Sequence, residues 1–350
     1  MEDLRDYDNP QYEKAVIELK EEFKKENWSP DGWNIVKGDE LLKTDIPAPE
    51  FLIEGLIPKG GITILSGNPS SCKSWILLEI ARCIASNEEL FGKYKTLEAR
   101  TLYIDEETDF TEMKRRWKML NPKILTLVDF KERNGFKIDN EEERKKLINA
   151  CLAKDYRLVI FDSLIDVHSK NENDSQEARQ VIECFEELTR RGITCLLSHH
   201  QRKLSFLDPK EPMQILRGSG VFSSGIDSLI AIEKKSETES KIELLIVPAK
   251  LRRGKKKEPF KIQLTEENEK MRLEYVSEVE SEATKLERTK NAIISLLREK
   301  KELYGSEISK TLIGAGFSSR TIDRGLGELK DEGRFNRRLD KKRVYLSLKE

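Results

Sequence analysis

Gly60-Gly61-Ile62-Thr63-Ile64-Leu65-Ser66-Gly67-Asn68-Pro69-Ser70-Ser71-Cys72-Lys73-Ser74 begins as a strand and ends as a turn. Ile62–Leu65 has β character, Gly67, Asn68 and Pro69 interrupt it, and from Trp75 to Ala85 apolar residues recur with a helical period. A strand that passes through a tight turn into a helix aims the helix's first N–H groups, and the positive end of its dipole, into the turn. Phosphate oxygens suit that setting. Lys73 adds an ammonium that would reach the β and γ phosphates, and Ser74 adds a hydroxyl for Mg²⁺. The spacing is GxxxxGK[ST], with Cys72 where the second glycine would stand. A side chain there crowds the phosphates. A thiol at a helix N-terminus beside a lysine is also expected to have a lowered pKa and to react readily.

Two further acids complete a nucleotide site. Arg157–Phe161 reads as an apolar strand, and it ends in Asp162, the residue expected to hold Mg²⁺ through water, as in a Walker B motif. Thr101–Ile104 reads as another strand, expected next to the phosphate-loop strand, and runs into Asp105-Glu106-Glu107. A glutamate at a strand's carboxyl end can orient the attacking water. Spacing leaves Glu106 and Glu107 both open. The set implies ATP as substrate and Mg²⁺ as cofactor.

The 350 residues are 36% charged with a net charge of -1, so any polyanion binding must come from local charge. No stretch approaches the roughly 18 to 20 apolar residues of a membrane span. The opening Met1-Glu2-Asp3 lacks the basic and apolar regions of a signal peptide. Five scattered cysteines without a CxxC argue against zinc and disulfides and for a reduced, cytoplasmic setting. Strand-like runs alternate with helical stretches from Ile53 to about Leu264, which predicts an α/β domain with a mostly parallel central sheet over 51–265 and an antiparallel extension at about 242 to 264. Residues 1–50 read as a charged helix (Gln11 to Lys25) and a linker, 266–284 as a second linker, and 285–350 as a separate small domain.

The order of phosphate loop, strand with Glu, Walker B, strand ending in His and Arg-Gly-Ser resembles the RecA-type P-loop NTPases. The RepA-like and DnaB-like hexameric replicative helicases are most similar, over roughly residues 50 to 265. The resemblance implies a RecA-like fold, with Gly67, Asn68, Pro69, Ser70, Ser71, Cys72, Lys73 and Ser74 around the phosphates. It implies Glu107, the last acid of its motif, as the water-activating base. Ser198-His199-His200 resembles the RepA-like motif, which implies that His199 and His200 sense the γ-phosphate. Leu216-Arg217-Gly218-Ser219-Gly220 and Ala249-Lys250-Leu251-Arg252-Arg253-Gly254 resemble two DnaB-like segments. By that resemblance Lys250 and Arg252 reach the neighbour's γ-phosphate; Arg252 is the arginine-finger candidate, with Arg217 in contention. The resemblance also implies a homo-hexamer, with Arg202 and Lys203 facing single-stranded DNA in the channel. The region Asp166 to Asp174 matches a second central loop in position, and its Asn171-Glu172-Asn173-Asp174 resembles RepA-like text. Residues 1–50 are too short for the primase-recruiting domain of DnaB-like helicases.

The last segment, Lys285 to Glu350, holds 17 Lys and Arg against 10 Asp and Glu. Three helical stretches and a hairpin in which Val344, Leu346 and Leu348 alternate read as a winged helix-turn-helix. The third helix, with Arg320 and Arg324, and a wing with Arg337 and Arg338 are expected to bind duplex DNA. The competing reading of the whole chain is a DNA-bound regulatory or recombination-type ATPase of the RecA/KaiC-like class, without strand separation.

Overall fold

The computed structural model describes residues 36–45, 48–200, 220–279, 282–340 and 343–349. The chain divides between Ala48 and Pro49. In the first unit the described residues carry one short helix, α1 (Gly38–Lys43), with Asp39 and Glu40 in its first turn and Lys43 in its last, the arrangement the helix dipole favours. The helix expected from Gln11 to Lys25 lies outside the described residues.

The second unit opens with a short antiparallel pair, β1 (Phe51–Ile53) and β2 (Ile57–Pro58). Then come β3 (Ile62–Gly67), α2 (Lys73–Ser86), β4 (Arg100–Asp105), α3 (Phe110–Met119), β5 (Val128–Lys131), α4 (Glu141–Lys154) and β6 (Tyr156–Asp162). After these follow α5 (Ser175–Thr189), β7 (Thr194–His200), α6 (Gly220–Gly225), β8 (Ser228–Glu237), β9 (Lys241–Leu251), β10 (Phe260–Glu267) and β11 (Lys270–Glu278). They build one sheet in the order β11-β10-β9-β8-β3-β7-β6-β4-β5. From β8 to β5 all neighbours are parallel, and β9 to β11 extend the sheet antiparallel. Every residue of β3 is buried, as expected of a parallel strand covered on both faces.

Alternation along the strands sorts the core into two layers. Leu65, Ile160, Leu196 and Ile232 pack with α2, while Ile64, Phe161 and Leu197 pack with α4 and α5. Each fully buried Leu, Ile or Phe of these layers contributes about 1.5–3 kcal/mol of hydrophobic stabilisation. Helix α2 is buried on nearly all sides, and its one acidic residue, Glu79, is paired with Arg82 at 2.8 Å. Such a helix holds the phosphate turn on a rigid base.

Contrary to the expected adjacency, β4 is not next to β3; β7 and β6 lie between them. The segment read as a linker at 266–284 is instead the end of β10, all of β11 and the start of the next helix. Asn268 and Glu269, both at positive φ, make the hairpin turn. β11 is a polar edge strand in which only Leu273 is buried, so its apolar signal is too weak to read.

The C-terminal elements are α7 (Glu282–Lys300), β12 (Glu302–Tyr304), α8 (Gly305–Gly314), α9 (Ser319–Asp331), β13 (Phe335–Asp340) and β14 (Arg343–Leu348). The strands form an antiparallel sheet in the order β12-β14-β13. Ile293, Leu297, Ile308, Leu312, Ile322 and Leu329 make a separate core. Ser318 caps α9 by accepting the Thr321 N–H at 3.2 Å, and Gly325 lets α9 close on α7, since a Cβ there would lie 3.2 Å from Ile293 Cδ1. Among the described residues no helix is long and apolar enough to cross a membrane.

Candidate nucleotide site

Helices α3, α4 and α5 each open on an Asp or Asn whose side chain accepts the first amide hydrogens. Helix α2 does not. Cys72 stands at its N-cap position without a side-chain cap, so the opening amides of α2 face the turn unclaimed. Ser70 and Cys72 both have left-handed backbone, with φ of 63° and 61°. That conformation is why glycine usually occupies the Cys72 position. A Cβ on Gly67 would overlap Ser71 Oγ, so the turn needs glycine there. Ser71 Oγ is buried in the turn without a hydrogen-bond partner and fits a phosphate oxygen, whereas Ser66 Oγ, in register with His199, lies on the other face of the sheet.

Lys73 is buried, and its ammonium donates to the carbonyls of Gly67 at 3.2 Å and Asn68 at 3.1 Å. Burial lowers its pKa, while Asp162 and Glu107 pull the other way. Asp162 accepts hydrogen bonds from Ser198 Oγ and, at 3.0 Å, from the Tyr103 hydroxyl. Ser198 and Tyr103 orient the metal-site carboxylate and escaped notice as such in the sequence, because a Ser or Tyr inside an apolar strand carries no local signal. Among the described residues no cluster of His, Cys, Asp and Glu is arranged to hold a metal ion. Ser74 Oγ and, through water, Asp162 are the oxygen donors that could hold Mg²⁺ beside phosphate oxygens, a set that suits a hard cation.

The three acids after β4 have distinct environments. Asp105 Oδ1 accepts the backbone N–H groups of Glu107 and Thr108, both at 2.8 Å. Burial, with Asp162 beside it, pushes the Asp105 carboxyl up to about 6. Glu106 is buried and engaged by Lys131 at 3.2 Å and by the amides of Gly135 at 2.8 Å and Phe136 at 3.1 Å. Glu107 is exposed, and its charge acts on Lys73. Of the two glutamates that spacing left open, Glu107 is the one whose carboxylate is exposed to water.

The histidines divide. His200 pairs with Gly67 in the β3–β7 register and shares the strand face of Ser198. His199 projects to the opposite face, against Phe222 at 5.7 Å between ring centres and with Nε2 3.5 Å from Glu172 Oε1. The structure therefore does not bring His199 to the phosphate turn as expected. His168 Nε2 approaches the same carboxylate oxygen at 3.4 Å. Burial also overturns the expectation for Cys72. Its half-buried thiol packs against the apolar cluster beneath α2, and burial raises its pKa despite Lys234.

Lys250 and Arg252 lie together at the end of β9. Lys250 Nζ donates to the Ser223 carbonyl at 2.7 Å, and Arg252 donates to the Ser224 carbonyl. The Arg252 amide bonds Asp227 O at 2.8 Å, and the Asp227 amide bonds Ile62 O at 2.9 Å. Arg252 is thus level with the first residue of β3, whereas the phosphate turn begins at its last, on the order of 15 Å further along the strand. Arg202, Lys203 and Arg217 fall outside the described residues. In the C-terminal elements Arg320 and Arg337 are exposed, Arg324 pairs with Glu328 at 3.2 Å, and Arg338 pairs with Glu302 at 2.6 Å and lies over the Tyr345 ring.

Residues 35–205 match the family model of an AAA domain. No curated protein matches the chain. Among solved structures, the flagellar accessory protein FlaH from Methanocaldococcus jannaschii is similar at 15% identity and a TM-score of 0.42, over 64% of this chain and 91% of its own. A KaiC-like protein from Pyrococcus horikoshii OT3 is similar at 15% identity and a TM-score of 0.43, over 65% of this chain and 95% of its own. The sheet order, the phosphate turn between β3 and α2, and the acids at the ends of β4 and β6 give this chain an α/β fold of the RecA-like P-loop type.

Proposed function

We propose that the chain is an oligomeric ATPase that couples hydrolysis between neighbouring protomers to movement on single-stranded DNA, in the manner of a replicative helicase. The observation that carries this reading is the position of Lys250 and Arg252. They share one strand end, at the end of the sheet opposite to their own phosphate turn. Cations so placed are useful to a phosphate held by another protomer. Arginine suits the role because its planar fork neutralises charge spread over the transferred phosphoryl oxygens.

In this reading the amides of α2 and Lys73 bind the β and γ phosphates. Ser74 and Asp162 would hold Mg²⁺, which would neutralise charge on the phosphates. Glu107 accepts a proton from the attacking water, and His200, at the tip of β7, monitors the γ-phosphate. Arg252 of the adjoining protomer completes the site. A ring of six subunits follows from the resemblance to hexameric helicases, and a C-terminal winged helix that holds duplex DNA follows from the order of three helices and a basic hairpin.

A second reading is a DNA-bound regulatory ATPase that assembles on duplex DNA without separating strands. The compact C-terminal core behind a basic hairpin favours it. ATP turnover with and without single-stranded DNA decides between them. Several-fold stimulation by single strands supports the motor. Stimulation by duplex alone supports the regulator.

A further inference from the structure

The C-terminal elements enclose a groove of about 420 Å³ between α9, the β13–β14 hairpin and the start of α8. Its floor is apolar, made by Leu326, Phe335, Val344 and Leu346. Lys330 and Arg337 stand at its edge, and neither is ion-paired to a described residue. Among the described residues that line it, none is acidic. Of the acids next to lining residues in sequence, Glu307 is turned back to accept the Tyr304 N–H at 3.1 Å, Glu328 pairs with Arg324 at 3.2 Å, and Asp331 is exposed.

One wall is Gly327, inside helix α9. A glycine there weakens the helix relative to alanine. Packing does not demand it, because a Cβ at Gly327 would meet nothing within 4 Å. Gly325, two residues earlier, contrasts with it, since its missing Cβ is what lets α7 approach. What the absent side chain of Gly327 leaves is the groove itself.

We infer that this groove is a binding site for a small organic anion with an apolar body, such as an aryl or alkyl carboxylate or sulfonate. The volume is in the range of small-molecule sites, which are mostly apolar with a few polar groups that fix orientation. An aromatic or aliphatic body covers the four floor side chains, and the anionic group meets the guanidinium of Arg337 and the ammonium of Lys330. A phosphodiester backbone would use the two cations and leave the apolar floor uncovered. The ligand would share Arg337 with any duplex bound to the hairpin, so the two would compete.

The test uses the full-length protein with Mg²⁺-ATP present, so that the nucleotide site is filled. The probe is 8-anilinonaphthalene-1-sulfonate, titrated by fluorescence, with uncharged N-phenyl-1-naphthylamine as the comparison. The expected result is one saturable sulfonate site per chain. Gly327→Phe, which fills the groove from a position with free space, should weaken it at least tenfold without lowering the unfolding temperature. Lys330→Ala combined with Arg337→Ala should weaken sulfonate binding at least tenfold and leave the uncharged dye unchanged. Sulfonate binding unaffected by Gly327→Phe overturns the site. So does loss of duplex DNA affinity in Gly327→Phe with dye binding intact, which would make the groove a DNA seat.

Discussion

Asp105 holds the backbone of Glu107, accepting its N–H at 2.8 Å, while Arg133 donates to the Glu107 carbonyl at 3.3 Å. The Glu107 turn is thus fixed from both sides and its carboxylate is left in water. Replacing Asp105 by Ala removes the acceptor and frees the turn. Turnover should fall about tenfold to a hundredfold, the cost of a catalytic group displaced by about 1 Å. Asp105→Asn keeps an acceptor oxygen and should retain most activity. Steady-state hydrolysis of the two variants checks this, and equal loss in both would assign Asp105 a role beyond the turn.

Burial, with Arg252 beside it, pushes the Lys250 ammonium down to about 8 from an ordinary 10.5. The unfolded chain holds this proton more tightly than the folded one, so the Lys250 contribution to stability rises as pH rises from about 8 to 10.5. Over the same window the cation is lost to any phosphate it serves. The kcat/KM, which reports the free protein, should therefore fall as pH passes about 8, and Lys250→Arg, which stays charged, should flatten that limb. A pH–rate profile of both proteins decides it, and coincident profiles would remove Lys250 from the reaction.

Cys72 should alkylate slowly. Burial raises its thiol pKa, so little thiolate is present at neutral pH. Cys72→Gly should preserve nucleotide affinity. Relief of the left-handed backbone at φ 61° is worth about 1–2 kcal/mol and offsets the lost packing of the thiol. Iodoacetamide kinetics and denaturant titration measure the two effects; fast alkylation would place the thiol in the open turn.

Removal of residues from Glu282 onward should leave ATP hydrolysis nearly intact, because the C-terminal elements have a core of their own. Duplex binding should weaken, and its salt dependence should flatten by about 0.9 for each phosphate that is no longer neutralised. Binding isotherms at several salt concentrations report the slope. Equal slopes would make the C-terminal elements a protein-contact module.

Much of the site was legible because its signals are local. Strand β3, the turn at Gly67, the α2 period and the acids after Ile104 and Phe161 lie in short contiguous runs. Strand order was not, since nothing local says that β7 and β6 lie between β3 and β4. The side on which His199 falls depends on register, where one residue reverses the face. Strand β11 was hidden by its polar exposed side. The thiol of Cys72 was misjudged because burial, a tertiary property, outweighs its neighbouring lysine.

In the proposed reaction Glu107, whose charge acts on Lys73, activates the water. The direct measurement is nucleotide affinity and phosphate release for Lys73→Ala, Glu106→Gln and Glu107→Gln. Lys73→Ala should lose nucleotide binding. Glu107→Gln should bind ATP like the unaltered protein and release phosphate at least about a hundredfold more slowly, the range of general-base loss. Glu106→Gln should weaken the hydrogen bonds from Gly135 and Phe136 and lower stability while still hydrolysing ATP. Full activity in Glu107→Gln, with Glu106→Gln folded and inactive, would contradict the account.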